Sequence, residues 1–539
     1  MDGVNASRAS AAASIASADT ASTTSDSAAP SQPANAVVTP LTPRTASHAA
    51  NEVDVLIVGA GLSGIGFAWN LQTHCPTKSY AILEGRDALG GTWDLFRYPG
   101  IRSDSDMHTL GFSFRPWRGE KAIADGPSIL AYLNDTAADY GIDRRIRYGH
   151  KVVRAAWSSQ DARWTVDVAS ADGRTEQWSC SFLQMCSGYY DYDGGYMPGW
   201  AGMSRFKGKV VHPQAWPEDL DYSGARVVVI GSGATAVTLV PAMTDKAAHV
   251  TMLQRSPTFI VARPARDVVA NWLYDKLPEG AAHTLTRWKN ILLQMYFYRR
   301  ARKYPERAKQ FLINMAQQAV GPAVERRHLT PSYFPWDQRL CLVPDGDLFN
   351  AIRDGKADIV TDEIETFTET GLKLKSGAEL AADIIVTATG LKMKPAGGIA
   401  VTVDGRAVDF GKVMNYKGVM FSDVPNLGST FGYTNASWTL KADLTAEYLC
   451  RLINHMDRNG FAAVTPHNSD PEVVPDPTPA LASGYFQRGA AVMPKQGSKP
   501  PWKLYQNYAR DLMTLRFGRL DDGVVVFTRR AEAPMRKRA

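Results

Sequence analysis

The sequence predicts an α/β fold with two dinucleotide-binding domains, the second inserted into the first. Three observations carry it. Short β-branched runs at Val53–Val58, Arg226–Ile230 and Asp383–Val386 read as buried strands of parallel sheets, with helical patterns between them. A glycine-rich turn follows each of the first two runs directly. The two turns also lie far apart in the chain, which argues for two separate nucleotide-binding units.

Composition narrows the classes further. The 539 residues are 45% hydrophobic and 21% charged, close to the globular average, so collagen, coiled coil and wholesale disorder are excluded. Net charge is only +6, and a nucleic-acid partner would call for a concentrated basic face. No apolar run reaches the ~20 residues that span a bilayer. The cysteines Cys75, Cys180, Cys186, Cys341 and Cys450 show neither a paired framework nor metal-ligand spacing. They read as buried thiols of a reducing, cytoplasmic compartment, and no metal site is expected.

Residues 1–51 are expected to form a disordered leader. They are dominated by Ala, Ser and Thr and carry no aromatic residue. The expected order after it is a flavin domain over 52–190, a nicotinamide domain over 191–382, the rest of the flavin domain over 383–520, and a tail over 521–539. A helical subdomain is expected at about 263–338, broken by Pro305. Basic residues such as Arg299, Arg300, Lys303 and Arg307 flank apolar Ile291-Leu292-Leu293 and Met295-Tyr296-Phe297-Tyr298. Two readings fit: a helical cap whose apolar face packs on the core, which is preferred, or a helix resting weakly on a membrane. Arg536-Lys537-Arg538 is expected to be solvated.

The first cradle is Gly59-Ala60-Gly61-Leu62-Ser63-Gly64. A lone G-x-G-x-x-G is weak, but here a strand precedes it, a helix follows, and Glu84 closes the next strand. Gly59 makes the tight turn, Gly61 lets a pyrophosphate reach the backbone, and Gly64 allows close helix packing. Glu84 would accept hydrogen bonds from ribose hydroxyls, which suits the unphosphorylated adenosine of FAD. The second cradle is Gly231-Ser232-Gly233-Ala234-Thr235-Ala236, with Ala236 in the third glycine position. After its next strand stands Arg255-Ser256 where an acid would exclude a 2′-phosphate, so NADPH is expected there. A chain that holds FAD and NADPH together most simply passes hydride from nicotinamide to flavin. No C-x-x-C exists to receive the electrons as a disulfide.

The segment between the cradles contains Phe206, Gly208, His212, Trp216 and Pro217 in the pattern F-x-G-x-x-x-H-x-x-x-W-P. Gly90-Gly91-Thr92-Trp93, Tyr98-Pro99-Gly100, and Asp383 with Ala388-Thr389-Gly390 accompany it. Over about residues 52–520 the chain resembles the Baeyer–Villiger class of flavin monooxygenases. Its strings over Gly90–Trp117, Trp336–Val343 and Gly432–Lys441 are most similar to the ethionamide-activating branch.

That resemblance implies NADPH- and O2-dependent insertion of oxygen into ketones through a C4a-peroxyflavin, giving esters or lactones. Oxygenation of sulfides or thioamides would accompany it. A heteroatom oxygenase without ketone activity is the alternative. The resemblance also places the catalytic arginine at Arg339, with Asp104 as its partner, and puts Ser63, Thr92, Trp93 and Val152 along FAD. His212 is implied to steady the interdomain linker. Gln338 departs from the family's lysine and leaves Arg255 to carry more of the phosphate contact. Trp438 lies at the substrate end or in packing.

Overall fold

The computed structural model describes residues 51–530 except 477, 479 and 480. The leader, apart from Asn51, and the basic C-terminal residues lie outside the described residues.

Strand β1 (Glu52–Val58) forms because its β-branched and aliphatic residues can be covered on both faces; Leu56 and Ile57 are fully buried. It pairs in parallel with β2 (Tyr80–Leu83) on one side, Val58 opposite Leu83. On the other side β5 (Thr175–Met185) brings Met185 level with Val58. The three strands therefore end together, and the turn after β1 opens at their common C-terminal edge, where open α/β sheets bind ligands. The antiparallel strands β3 (His150–Ser158) and β4 (Arg163–Ser170) extend this sheet from β5. Helix α1 (Leu62–His74) leaves the turn and packs against the sheet.

The second sheet is wholly parallel. It comprises β6 (Lys209–Val211), β7 (Arg226–Ile230), β8 (His249–Gln254), β11 (Ala357–Thr361) and β12 (Ile384–Thr387), in the order β11-β8-β7-β12-β6. Helix α2 (Ala234–Met243) follows β7. A separate parallel pair, β9 (Ile260–Arg263) and β10 (Cys341–Pro344), flanks it.

Two expected boundaries are corrected. The strand at 384–387 was expected to begin the return to the flavin domain, yet it lies inside the second sheet between β7 and β6. A fully apolar strand suits the interior of either sheet, so its sequence cannot choose. Asp383 accordingly closes the second sheet's edge, accepting hydrogen bonds from the backbone N–H and guanidinium of Arg226 at 2.8–3.0 Å. The tail expected from 521 is also shorter. A short strand β15 (Val525–Arg529) pairs antiparallel with β14 (Phe461–Pro466).

The chain crosses between the sheets twice, and the crossings run side by side. Tyr196 N–H donates to Gly390 O at 2.9 Å, and Lys394 N–H donates to Tyr189 O at 3.0 Å. Lys394 Nζ also pairs with Asp191 and Asp193 at 2.9 and 3.1 Å. After the second crossing β13 (Ala400–Val403) joins β3, and helix α6 (Trp438–Asn459) packs on α1.

The helical subdomain contains α3 (Val268–Lys276), α4 (Glu279–Lys303) and α5 (Pro305–Val320), with the break at Pro305 as expected. The expectation that α4 buries its apolar face is met only in part: Ile291 is buried against Tyr433 and Leu440 with Met295 beside it, whereas Leu292, Leu293, Tyr296 and Phe297 are exposed. Its inward face carries His283, Thr286, Arg287 and Asn290. Arg287 Nη2 binds Asp443 Oδ2 at 3.0 Å, and its Nη1 donates to the carbonyls of His108 and Gly111 at 3.1 and 2.8 Å. Asn290 donates to Asp106 at 2.9 Å. A polar face can pack inward when every buried charge finds a partner. That leaves apolar residues on the outside.

Candidate active site

A cleft of about 1650 Å³, counting its open mouth, lies between the two sheets. It gathers Gly61, Ser63, Thr92, Trp93 and Asp104 from the first domain with His212, Ala234, Thr235 and Arg339 from the second. Of the remaining expected residues, Gly59, Gly64, Glu84 and Val152 stand behind the first cradle. Gly231, Ser232, Gly233, Ala236, Arg255 and Ser256 stand around the second, and none of these ten lines the cleft.

The two cradles fit phosphates in the same way. Helices α1 and α2 both begin at a glycine, Gly61 and Gly233, with no side chain capping the first-turn amides. Those amides and the helix dipole are free for an anion. The glycines divide by purpose. A Cβ on Gly64 would come within 2.0 Å of Gly59 O, so protein packing alone demands glycine there. A Cβ on Gly233 would meet nothing within 4 Å, so the space is available to a ligand. Ala236 is fully buried, as its packing role requires.

Glu84 is buried, and burial raises its pKa. Its carboxylate accepts from Ala60 N–H at 2.7 Å and Arg86 N–H at 3.0 Å, so it pins the first cradle while lone pairs remain for ribose hydroxyls. Val152 sits in β3 where the ladder with β4 slips before Arg154. At the second cradle Ser232 Oγ donates to Ser256 O at 3.1 Å, tying the turn to the end of β8, where Arg255 is exposed.

Arg339 Nη1 donates to Asp104 Oδ2 at 2.9 Å. The pair is half-buried: 37% and 34% of the two side chains is accessible, and the exposure faces the cleft that both residues line. Asp104's charge raises the guanidinium pKa still further, so the cation is permanent. Three residues upstream Trp336 holds φ +71, a strained conformation for a non-glycine. The loop is secured by Asp337, which pairs with Arg302 of α4 at 2.6 Å.

Aromatic residues shape the wall beside this pair. Trp438 Nε1 donates to Ser63 Oγ at 2.8 Å, and its ring stacks on Tyr189 with centroids 5.6 Å apart. The Thr92 hydroxyl hydrogen-bonds the Tyr190 hydroxyl. Burial raises the Tyr189 pKa while Arg339 opposes the rise, so Tyr189 is a neutral phenol near the guanidinium. Sequence reasoning missed Tyr189 and Tyr190; the signal available was the Tyr189-Tyr190-Asp191-Tyr192 run at a sheet's C-terminal edge.

The fingerprint residues do not converge. His212 lines the cleft, with Nδ1 accepting from Gln214 N–H at 3.2 Å and its pKa lowered by burial. A Cβ on Gly195 would lie 1.9 Å from the His212 ring, so the imidazole wedges directly under the first crossing. Phe206 packs on Phe367, Gly208 passes close to Asp383 O, Trp216 lies against the second core, and Pro217 is exposed. Orphan buried polar atoms also face this region, among them His212 Nε2, Gln214 Oε1 and Arg102 Nε, all from cleft-lining side chains. The donor set, the two uncapped cradles and the cleft volume fit two dinucleotides.

Sequence missed one further cation. Arg488 lies over the Tyr196 ring at 3.6 Å, beside Gly390. Burial lowers its pKa, and the positive charge of Arg255 lowers it further. Neither arginine has an acidic side chain within ion-pair distance among the described residues.

Residues 123–396 match the flavin-binding monooxygenase-like family, and residues 57–119 match an NAD(P)-binding Rossmann-like domain. The FAD-containing monooxygenase EthA of Mycobacterium tuberculosis is 56% identical over 480 residues, covering 89% of this chain and 98% of the relative. The chain belongs to the flavin-binding monooxygenase-like family. It is an FAD-dependent monooxygenase that uses NADPH. Among solved structures, a steroid monooxygenase bound to NADP has a TM-score of 0.69 at 20% identity, covering 89% of this chain and all of that one. An open cyclohexanone monooxygenase structure has a TM-score of 0.65 at 21% identity, over 78% of this chain and 91% of that one. These enzymes share its two-dinucleotide fold.

Proposed function

We propose that this monooxygenase inserts one oxygen atom beside the carbonyl of a ketone, giving an ester or lactone, and also oxygenates sulfides or thioamides. The observation that carries the reading is the Arg339–Asp104 pair, which opens onto the cleft beside the first cradle's Gly61 and Ser63. When bound, FAD takes two electrons from NADPH and uses dioxygen, one oxygen atom entering the substrate and the other leaving as water.

The residues of the chain supply binding and charge. The first cradle, with Glu84 on the ribose and Thr92, Trp93 and the Val152 backbone along the cofactor, holds FAD. Gly231, Ser232, Gly233, Ala234 and Thr235 hold the NADPH pyrophosphate, Arg255 and Ser256 take its 2′-phosphate, and Arg488 adds the cation that Gln338 does not provide. Arg339 keeps a fixed positive charge where negative charge must persist until a carbonyl carbon is attacked. Asp104 orients that guanidinium by a charged hydrogen bond. His212 holds the crossing strands, and Tyr189 and Trp438 exclude water from the flavin side.

Product analysis with a plain aliphatic ketone and a dialkyl sulfide tests this. The reading expects ester and sulfoxide in proportion to NADPH consumed. Sulfoxide without ester would leave a heteroatom oxygenase in its place.

A further inference from the structure

The outward face of α4 is unusual for a surface helix. Leu292, Tyr296 and Phe297 are each more than half exposed, at 58%, 56% and 56%, and Leu285 and Leu293 continue the surface. Trp272 on α3, which packs against α4, and Phe311 on α5 are exposed as well. Scattered exposed apolar residues need no explanation, but a run along one helix marks a contact surface. The inward face is committed to the Arg287 and Asn290 hydrogen bonds, so the helix cannot turn over to hide it.

The next turns of the same helix are cationic. Arg299, Arg300 and Lys303 are exposed, and Arg307 continues the group on α5. Arg300, Lys303 and Arg307 surround the Tyr304 ring at 4.7, 5.4 and 5.8 Å. Among the described residues no carboxylate pairs with any of these four. Such a cluster repels itself unless an anionic surface meets it. A symmetric contact with a second copy would bring like charges toward one another.

We propose that the α4 face, with its basic C-terminal turns, docks on an anionic lipid bilayer. The aromatic and leucine side chains enter the headgroup boundary, and the cations pair with lipid phosphates. No described helix is long and apolar enough to cross a membrane, so the contact lies on the surface. Beneath this face a small cavity lined by Ile291, Met295 and Leu440 shares Ala436 with the catalytic cleft. Docking would bring an apolar substrate dissolved in the bilayer to the thin wall beside the flavin site.

Flotation of the FAD-loaded full chain with vesicles tests the proposal. Binding is expected to an equimolar mixture of phosphatidylcholine and phosphatidylglycerol, and to be at least about tenfold weaker to phosphatidylcholine alone. Raised salt should weaken it. Leu292→Ser with Phe297→Ser, and separately Arg300→Glu with Arg307→Glu, should each cut binding by about tenfold or more. FAD content and NADPH oxidation with a water-soluble substrate should be unchanged in both. Absence of vesicle binding, equal binding to both vesicle types, or variants that bind like the parent would overturn it. So would a dimeric parent that becomes monomeric in the Leu292→Ser, Phe297→Ser variant, because the face would then join two copies.

Discussion

The two cradles share a motif but not a setting. At the first, Ala60, Ser63 and Gly64 are buried, and Glu84 holds the Ala60 amide at 2.7 Å. At the second, Gly233 and Ala234 are exposed, and so is Arg255. A ligand enclosed by protein leaves slowly, whereas one held on an open rim by charge exchanges readily. The first setting suits a flavin that stays through many turnovers. The second suits a nicotinamide that must come and go in each one.

Substitution of one glycine in each cradle should separate the two most sharply. Gly64→Ala drives a methyl group to 2.0 Å from Gly59 O and should yield protein without flavin, read from the visible absorption of the purified chain. Gly233→Ala meets no protein atom within 4 Å. It should retain flavin and raise the KM for NADPH several-fold. Equal flavin loss in both variants would erase the distinction.

A smaller effect is expected at the charges around the open cradle. Arg255→Ala and Arg488→Ala should each raise the KM for NADPH about tenfold or more while leaving that for NADH nearly unchanged, since only NADPH presents the 2′-phosphate. An equal rise with both cofactors at Arg488 would remove it from the phosphate site.

Much of this was legible because the constraints are local. Gly59 and Gly64 answer to each other within six residues, and Arg255 directly follows the strand that places it. Arg339 is different. Its partner Asp104 is 235 positions away, and Trp336–Leu340 carries no periodicity that announces a catalyst, so only a family resemblance points to it. Strand Ile384–Thr387 was assigned to the wrong sheet because all four residues are buried and its apolar run suits either one. Helix α4 shows the complementary limit. Sequence periodicity locates an apolar face but not whether it points inward, and the buried partners of Arg287 and Asn290 come from distant segments. The final strand, Val525–Arg529, was within reach, because Val524-Val525-Val526-Phe527 is an apolar run that the expected tail passed over.

A further expected effect, on stability and not on turnover, concerns the α4 interface. His283 is buried, with Nε2 3.2 Å from Ser113 O, and burial together with Arg287 lowers its pKa to about 4. The folded form then binds fewer protons than the unfolded chain below the ordinary histidine range. Stability is therefore full above about pH 6.5 and falls as pH drops toward 4, by about 2 kcal/mol between pH 7 and 5. Denaturant unfolding across that range measures it, and His283→Asn should flatten this part of the slope.

In the proposed function, the fixed guanidinium at the cleft is what separates oxygen insertion from peroxide release. The most direct measurement is the fate of electrons in Arg339→Ala, comparing NADPH consumed, ester formed from an aliphatic ketone, and hydrogen peroxide released. The variant should keep its FAD, form no ester, and divert whatever NADPH it oxidises to peroxide. Ester formation at the parent rate, with little peroxide, would contradict the role assigned to Arg339.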